Sequence, residues 1–327
     1  MRKGQHPPHR LSLFVFLILL LALLSLVTGC FAVPKEPPDQ NKVQTSQNDQ
    51  PDKTKSLDKS PVLPVLRLST ATIAPGDFFI LYLDHAAEGD DLEFHTSFAE
   101  KNPLFFDYPA GKMAVVGVNY RTVPGEYYVQ VKLSRNGETL LDARENIQVT
   151  AKKFPTQFLR VTQAQQVQRS DKLWQEDRVH IARAKSATAA IPLWQGAFLM
   201  PVEGRISTEF GVIRYINNVE SGRHSGIDIA APTGTPIKAT NRGLVTLSKS
   251  LNVVGKTVII DHGLNLYSAY SHLDRLLVEK GTLVEKGDII GEVGSTGFST
   301  GPHLHWTISV GPVFVNPWLF LEKDPLD

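Results

Sequence analysis

The sequence predicts a mainly β chain in two globular parts, joined by a connector that holds one short helix. Three observations predict it. Short apolar, β-branched runs recur between Val62 and Thr150, and they resume from about residue 197 to the end. Between them, Ser170–Ala190 has no Gly or Pro and is rich in Ala, Lys, Arg, Glu and Gln, the composition of a helix. At 327 residues and 42% apolar, the chain can bury ordinary cores. Its net charge of +1 shows no sign of a nucleic-acid footprint, so no nucleic-acid partner is expected.

The start belongs to neither part. Arg2, Lys3 and Arg10 precede a charge-free apolar run, Leu11–Val27, which ends in Thr28-Gly29-Cys30, so residues 1–29 read as an export signal. Cys30 is the only cysteine, so it has no partner for an internal disulfide. With small Thr28 and Gly29 before it, the segment resembles the lipobox of bacterial lipoproteins. That resemblance implies lipidation of Cys30 and an anchor in a membrane of the bacterial cell envelope. The run is also just long enough to serve as an uncleaved membrane span. Either reading puts the chain outside the cytoplasm. Residues 30–60 are Pro, Asp, Gln, Lys, Asn and Ser with little apolar content, too little to offset the entropy of ordering, and are predicted to form a disordered tether.

Residues 61–154 contain VLPVLRLS, DFFILYLD, MAVVGVNY, EYYVQVKLS and NIQV, punctuated by Pro75-Gly76, Pro124-Gly125 and Asn136-Gly137. Tyr127, Val129 and Val131 alternate with polar neighbours, as one buried sheet face requires. The expectation is an all-β sandwich of immunoglobulin-like type. Its histidines, His85 and His95, stand alone, and no catalytic constellation appears, so a spacer or docking role is expected. Residues 155–196 read as the connector, with a helix at about 170–190 that opens on a Ser170 or Asp171 cap and stops before Pro192. From 197 to 327 the β runs are PIKAT, GLVTLS, TVIIDH, YSAYSHL, IIGEVG and HLHWTISV.

Five of the ten histidines fall between 224 and 305: His224, His262, His272, His303 and His305. In a strand, side chains two apart share a face, so His303 and His305 point the same way, about 6 to 7 Å apart at the backbone, with Leu304 turned into the core. In RHSGIDIAAPTGTP, His224 and Asp228 are four apart, and Gly226, Pro232 and Gly234 argue against a helix. An even spacing along an extended segment again puts both side chains on one face. Two imidazoles and a carboxylate suit zinc, and three protein ligands leave its fourth position open for catalysis. Spacing alone does not decide which histidine of HLHW is the third ligand.

HSGIDIAAPTGTP, TVIIDHG, YSAYSHL, VEKGDIIGEVGSTGFSTGPHLHW and VNPW, in that order, resemble the lysostaphin-type (LytM-like) zinc endopeptidases of bacterial cell walls. The resemblance covers about residues 198–322. It implies an antiparallel β peptidase domain built from a duplicated hybrid motif. It also implies one Zn2+ per chain held by His224, Asp228 and His305, catalytic roles for His272 and His303, and peptidoglycan as the partner. Phe210-Gly211 and Arg214 are similar to the FGxR segment of many relatives, where Arg214 would bind a substrate carboxylate. Some pentaglycine-cleaving relatives have a tyrosine six residues before the first ligand, whereas this chain has Asn218 there. That departure argues against glycine-bridge cleavage. His262 is read as structural. The rival function is a non-catalytic cell-wall-binding regulator or amidase activator; such relatives usually lack several ligands, and this chain keeps them all. VEKGTLVEKGDIIGEVG also alternates like lipoyl-carrier half-motifs, but no lysine is identifiable at the hairpin tip that would carry the modification.

Overall fold

A computed structural model describes residues 62–99 and 103–327. The apolar run, Cys30 and the expected tether of residues 30–60 lie outside the described residues.

The first domain is built from β1 (Val65–Leu68), β2 (Thr72–Ile73), β3 (Phe78–Asp84), β4 (Asp91–Thr96), β5 (Phe106–Tyr108), β6 (Gly111–Gly117), β7 (Gly125–Arg135) and β8 (Glu138–Val149). They form two four-stranded sheets, ordered β1-β3-β6-β5 and β2-β8-β7-β4. Phe79, Leu81 and Leu83 of one sheet meet Val129, Val131 and Leu133 of the other in a single core. The β7–β8 hairpin turns at Asn136 and Gly137, both with positive φ, the geometry that an Asn-Gly pair adopts most readily. The alternate residues of β3 explain why DFFILYLD is apolar throughout. Ile80 belongs to the core of the C-terminal domain, with Phe78 and Tyr82 packed against it. Phe78 stacks on Phe320 at 5.0 Å, and the Asn316 N–H donates to the Gly76 carbonyl at 2.6 Å. The two domains share apolar packing, so the first is not a detached spacer.

The connector contains β9 (Thr156–Leu159), α1 (Gln163–Gln168) and α2 (Asp171–Ala184). The expected helix ends six residues early, because tertiary partners capture the residues that would continue it. The Tyr267 hydroxyl bonds to the carbonyls of Lys185 and Ala187, while the Thr188 hydroxyl and the Ala189 N–H donate to the Asp261 carboxylate at 2.7 and 2.9 Å. Neither β9 nor α1 was legible as a regular element.

The C-terminal domain continues with β10 (Arg205–Thr208), β11 (Ile213–Ile216), β12 (Val219–Arg223), β13 (Ile227–Ala230), β14 (Pro236–Lys238), β15 (Gly243–Ser250) and β16 (Lys256–Gly263). It ends with β17 (Leu266–Leu273), β18 (Arg275–Leu276), β19 (Leu283–Val284), β20 (Ile289–Glu292), β21 (Leu304–Val310), β22 (Val313–Val315) and α3 (Leu319–Glu322). The main sheet runs β10-β13-β21-β17-β16-β15-β19, with β22 also on β21. One face carries Leu304, Trp306, Ile308, Tyr270, Val258 and Ile260 into the main core. On the other face Leu247, Ile259 and Tyr267 meet Ile181 and Ala184 of α2. Because β17 and β21 pair without a register shift, His305 and Ser309 lie on this second face, His305 opposite Ser271 and Ser309 opposite Tyr267. The helix therefore covers part of the face on which the histidines gather.

Candidate metal centre and active site

Antiparallel pairing of β13 with β21 sets Asp228 directly opposite His305, which brings their side chains together by register alone. His224 sits on the approach to β13, where its N–H donates to the Val212 carbonyl and its own carbonyl accepts from Gly211. Gly226 lets this approach lie flat on β21: a Cβ there would stand 2.1 Å from the Trp306 carbonyl oxygen. His224 Nε2 is 2.8 Å from Asp228 Oδ1 and 3.0 Å from His305 Nδ1, and His305 Nδ1 is 2.7 Å from Asp228 Oδ1. These three residues form a cluster able to hold a metal ion.

The surroundings fix which atoms face inward. His224 Nδ1 lies 2.9 Å from the Glu209 carbonyl, an arrangement in which it donates and leaves Nε2 as an acceptor toward the cluster. Asp228 Oδ2 faces Arg214 Nη2 at 3.5 Å, and Arg214 Nε donates to Gln157 Oε1 of β9 at 3.1 Å. Burial works against ionisation of Asp228, but the His224 and His305 imidazoles against it outweigh that and hold the carboxyl well below the usual range. Burial pushes His305 down to about 4, so its ring is neutral near pH 7. An ionised carboxylate and uncharged imidazole nitrogens are the protonation states that metal ligation requires. The residues fit a divalent ion of zinc's preferences.

His272 and His303 stand beside the cluster. Their ring centroids are 4.9 Å apart, His272 is 6.1 Å from the His305 ring, and His303 Nε2 is 3.8 Å from Asp228 Oδ1. Each is oriented by a backbone carbonyl: His272 Nδ1 lies 2.8 Å from Thr296 O, and His303 Nδ1 lies 2.8 Å from Gly301 O. With Nδ1 donating, Nε2 of each is left with a lone pair. His272 also has a left-handed backbone, φ +66°, a conformation that non-glycine residues keep only when their surroundings enforce it. Burial, then the proximity of His305 and His303, lowers its pKa to about 3, so it is a neutral imidazole at physiological pH. His262, by contrast, is fully buried elsewhere, its nitrogens 2.8 Å from Arg242 O and from Ser268 Oγ.

His224, Asp228, His272, His303, His305 and Arg214 all line one cleft of about 1430 Å³. Spacing pointed to His224, Asp228, His303 and His305, and the family resemblance added His272 and Arg214, but neither reached the connector's share of the site. Gln157 holds Arg214, and Asp177 of α2, fully buried, accepts N–H groups from the Asn252–Val254 loop. A signal for Asp177 existed: with Trp174, Ile181 and Ala184 it falls at three- and four-residue spacing on one helical face, where an acid needs a partner.

Three candidate ligands beside a roomy cleft, with two further imidazoles at hand, match the pattern of a catalytic rather than a structural metal centre. Residues 222–317 match the model of Peptidase family M23. It is 40% identical over 113 residues to the DD-carboxypeptidase/endopeptidase Mpg of Neisseria meningitidis serogroup B, covering 35% of this chain and 26% of that one. It is 41% identical over 87 residues to the peptidoglycan DD-endopeptidase ShyA of Vibrio cholerae, covering 27% of this chain and 20% of that one. The matches thus span about a quarter or less of these curated relatives. A crystal structure described as a peptidase M23 from Pseudomonas aeruginosa is similar with a TM-score of 0.53 at 27% identity, over 76% of this chain and 94% of that one. That coverage exceeds what residues 197–327 alone could supply, so the likeness extends into the first domain and connector.

Proposed function

We propose that this chain is a zinc-dependent endopeptidase that hydrolyses the peptide cross-links of peptidoglycan and is tethered outside the cytoplasm by a lipid on Cys30. The observation that carries the catalytic part is the convergence of His224, Asp228 and His305 to within 3.0 Å, with His272 and His303 alongside. The family match and the relatives named as peptidoglycan endopeptidases support the substrate class. The lipobox-like segment supports the anchor.

When held by its three ligands, zinc supplies Lewis acidity toward a water and the scissile carbonyl. His272 Nε2 accepts the proton that water loses as its oxygen bonds to the scissile carbon, and returns it to the amide nitrogen, so the peptide C–N bond breaks as the tetrahedral oxyanion collapses to a carboxyl group and the amine departs. His303 Nε2, when protonated, donates a hydrogen bond to the oxyanion. Arg214 meets the substrate on the cleft wall, with Nη2 also steadying Asp228. The first domain is immunoglobulin-like in this reading. Its strand order, and the Tyr127 hydroxyl near the start of β7 donating to the Val123 carbonyl at 3.0 Å, support that kinship.

Digestion of purified peptidoglycan of known cross-link chemistry, read by mass spectrometry, tests the activity. New amino and carboxyl termini between stem peptides, an intact glycan and suppression by a chelator are expected. A zinc-loaded protein that leaves every cross-link intact would point instead to the regulator or amidase activator. For the anchor, Cys30→Ser should abolish incorporation of a labelled fatty acid.

A further inference from the structure

The cleft is far more basic than the chain. Its lining holds Arg121, Arg169, Arg178, Lys185, Arg214 and Arg223 against three carboxylates, whereas the whole sequence is nearly neutral. Among the described residues, only Arg214 of these six lies within ion-pair distance of a carboxylate, and that partner is the metal ligand Asp228. Arg169, Arg178 and Lys185 come from the connector, outside the residues that match the peptidase family.

Lys185, just past the end of α2, is the clearest case. Its Nζ donates to Ser309 Oγ at 2.6 Å and hangs between two rings, 5.2 Å from the centroid of Phe314 and 5.7 Å from that of Tyr267. Tyr267 and Phe314 are the cross-strand partners of Ser309 on either side, so the ammonium is centred over one point of the sheet. An ammonium has three protons to donate, and one hydroxyl with two ring faces leaves the charge without a counter-ion. A cation removed from water and left unpaired is costly, and here burial lowers its pKa to about 8. The point it marks bears a fixed relation to the metal ligands. Ser309 and His305 are four residues apart on one face of β21, which is about 13 Å along an extended strand.

We propose that the Lys185 ammonium is an anion subsite of the cleft, which takes a carboxylate of an extended acidic peptide about four residues from the bond held beside His305. This rests on the endopeptidase reading and adds its specificity: the preferred substrate carries a free carboxylate at that distance, and the connector rather than the family domain selects it. Cross-linked stem peptides offer free carboxylates of this kind.

Binding without turnover tests it. The full chain carrying His303→Ala is titrated calorimetrically with a soluble stem tetrapeptide bearing its free carboxylates, and with the same peptide fully amidated. The acid form is expected to bind at least tenfold tighter. Adding Lys185→Met, which keeps the apolar stem, should bring the acid form down to the affinity of the amide and leave the amide unchanged, while Lys185→Arg keeps the preference. Equal affinities of the two peptides for the lysine-bearing chain, binding of neither, or a preference that survives Lys185→Met would each overturn the subsite. The first comparison needs no change at residue 185, so a misfolded variant cannot obscure the answer. Failure of the unsubstituted chain to cut peptidoglycan would count against the endopeptidase alone, and lost acid preference in a chain that does cut it would count against Lys185 alone.

Discussion

Asp177 of α2 and Val254 of the β15–β16 loop are joined by a hydrogen bond of 3.2 Å from the Val254 N–H to the carboxylate, which also accepts the N–H groups of Asn252 and Val253 at 2.8 and 2.6 Å. The Val254 carbonyl in turn accepts the N–H of His272 at 3.0 Å. A helix outside the family match thereby shapes the loop that seats a candidate catalytic histidine. Asp177→Ala leaves three inward N–H groups without an acceptor and should cost about 3 kcal/mol of stability or more. Urea unfolding measures that loss, and kcat for peptidoglycan cleavage should fall with it, whereas exposed Glu176→Ala should change stability by less than about 0.5 kcal/mol.

Each of His224→Ala, Asp228→Ala and His305→Ala removes one of the three candidate metal ligands. The unsubstituted protein should hold about one zinc per chain by elemental analysis. The three variants should purify with little or none, and chelated wild-type protein should regain activity when zinc is returned.

His272→Ala and His303→Ala separate chemistry from metal holding. Both should keep the wild-type zinc content and lose between about 100-fold and 10,000-fold in kcat, the range expected for a missing proton-transfer group. Loss of the metal in either variant would assign that residue to the ligand set instead.

The acid sensitivity of folding has a definite sign at His262. Burial depresses this imidazole from 6.5 to about 4, so between those values the unfolded chain binds a proton that the folded chain refuses. Stability should therefore fall as pH drops through that window, by up to about 1.4 kcal/mol per pH unit from this group. In His262→Gln the unfolding midpoint should start lower at pH 7 but decline less steeply toward pH 4.

The strands with the densest apolar content were legible because burial on one or both faces leaves a mark in composition, as β3, β7 and β21 show. β4 reads DLEFHT, where Leu92 and Phe94 alternate with polar residues and pack on the core, but with only two large apolar residues and none of its residues fully buried this signal is too faint to announce pairing with β7. β9 was hidden for a different reason: its partner β11 lies more than fifty residues ahead, and a parallel pairing that distant has no local signature. The candidate cluster was partly legible because its residues lie in two short segments whose parity fixes their direction, although the choice of His305 over His303 came from the family resemblance. What register contributes, Asp228 opposite His305, required the sheet itself.

The apolar seam formed by Phe78 and Phe320, with Val313 and Val315 against Gly117, has a practical corollary for anyone dissecting the protein. A fragment beginning at residue 197 would bare that seam to water, so it should precipitate on expression where a fragment beginning at residue 62 stays dispersed, as light scattering would register. The C-terminal half is thus poorly suited to transplantation as a stand-alone cassette, and grafts should carry its β-rich companion with it.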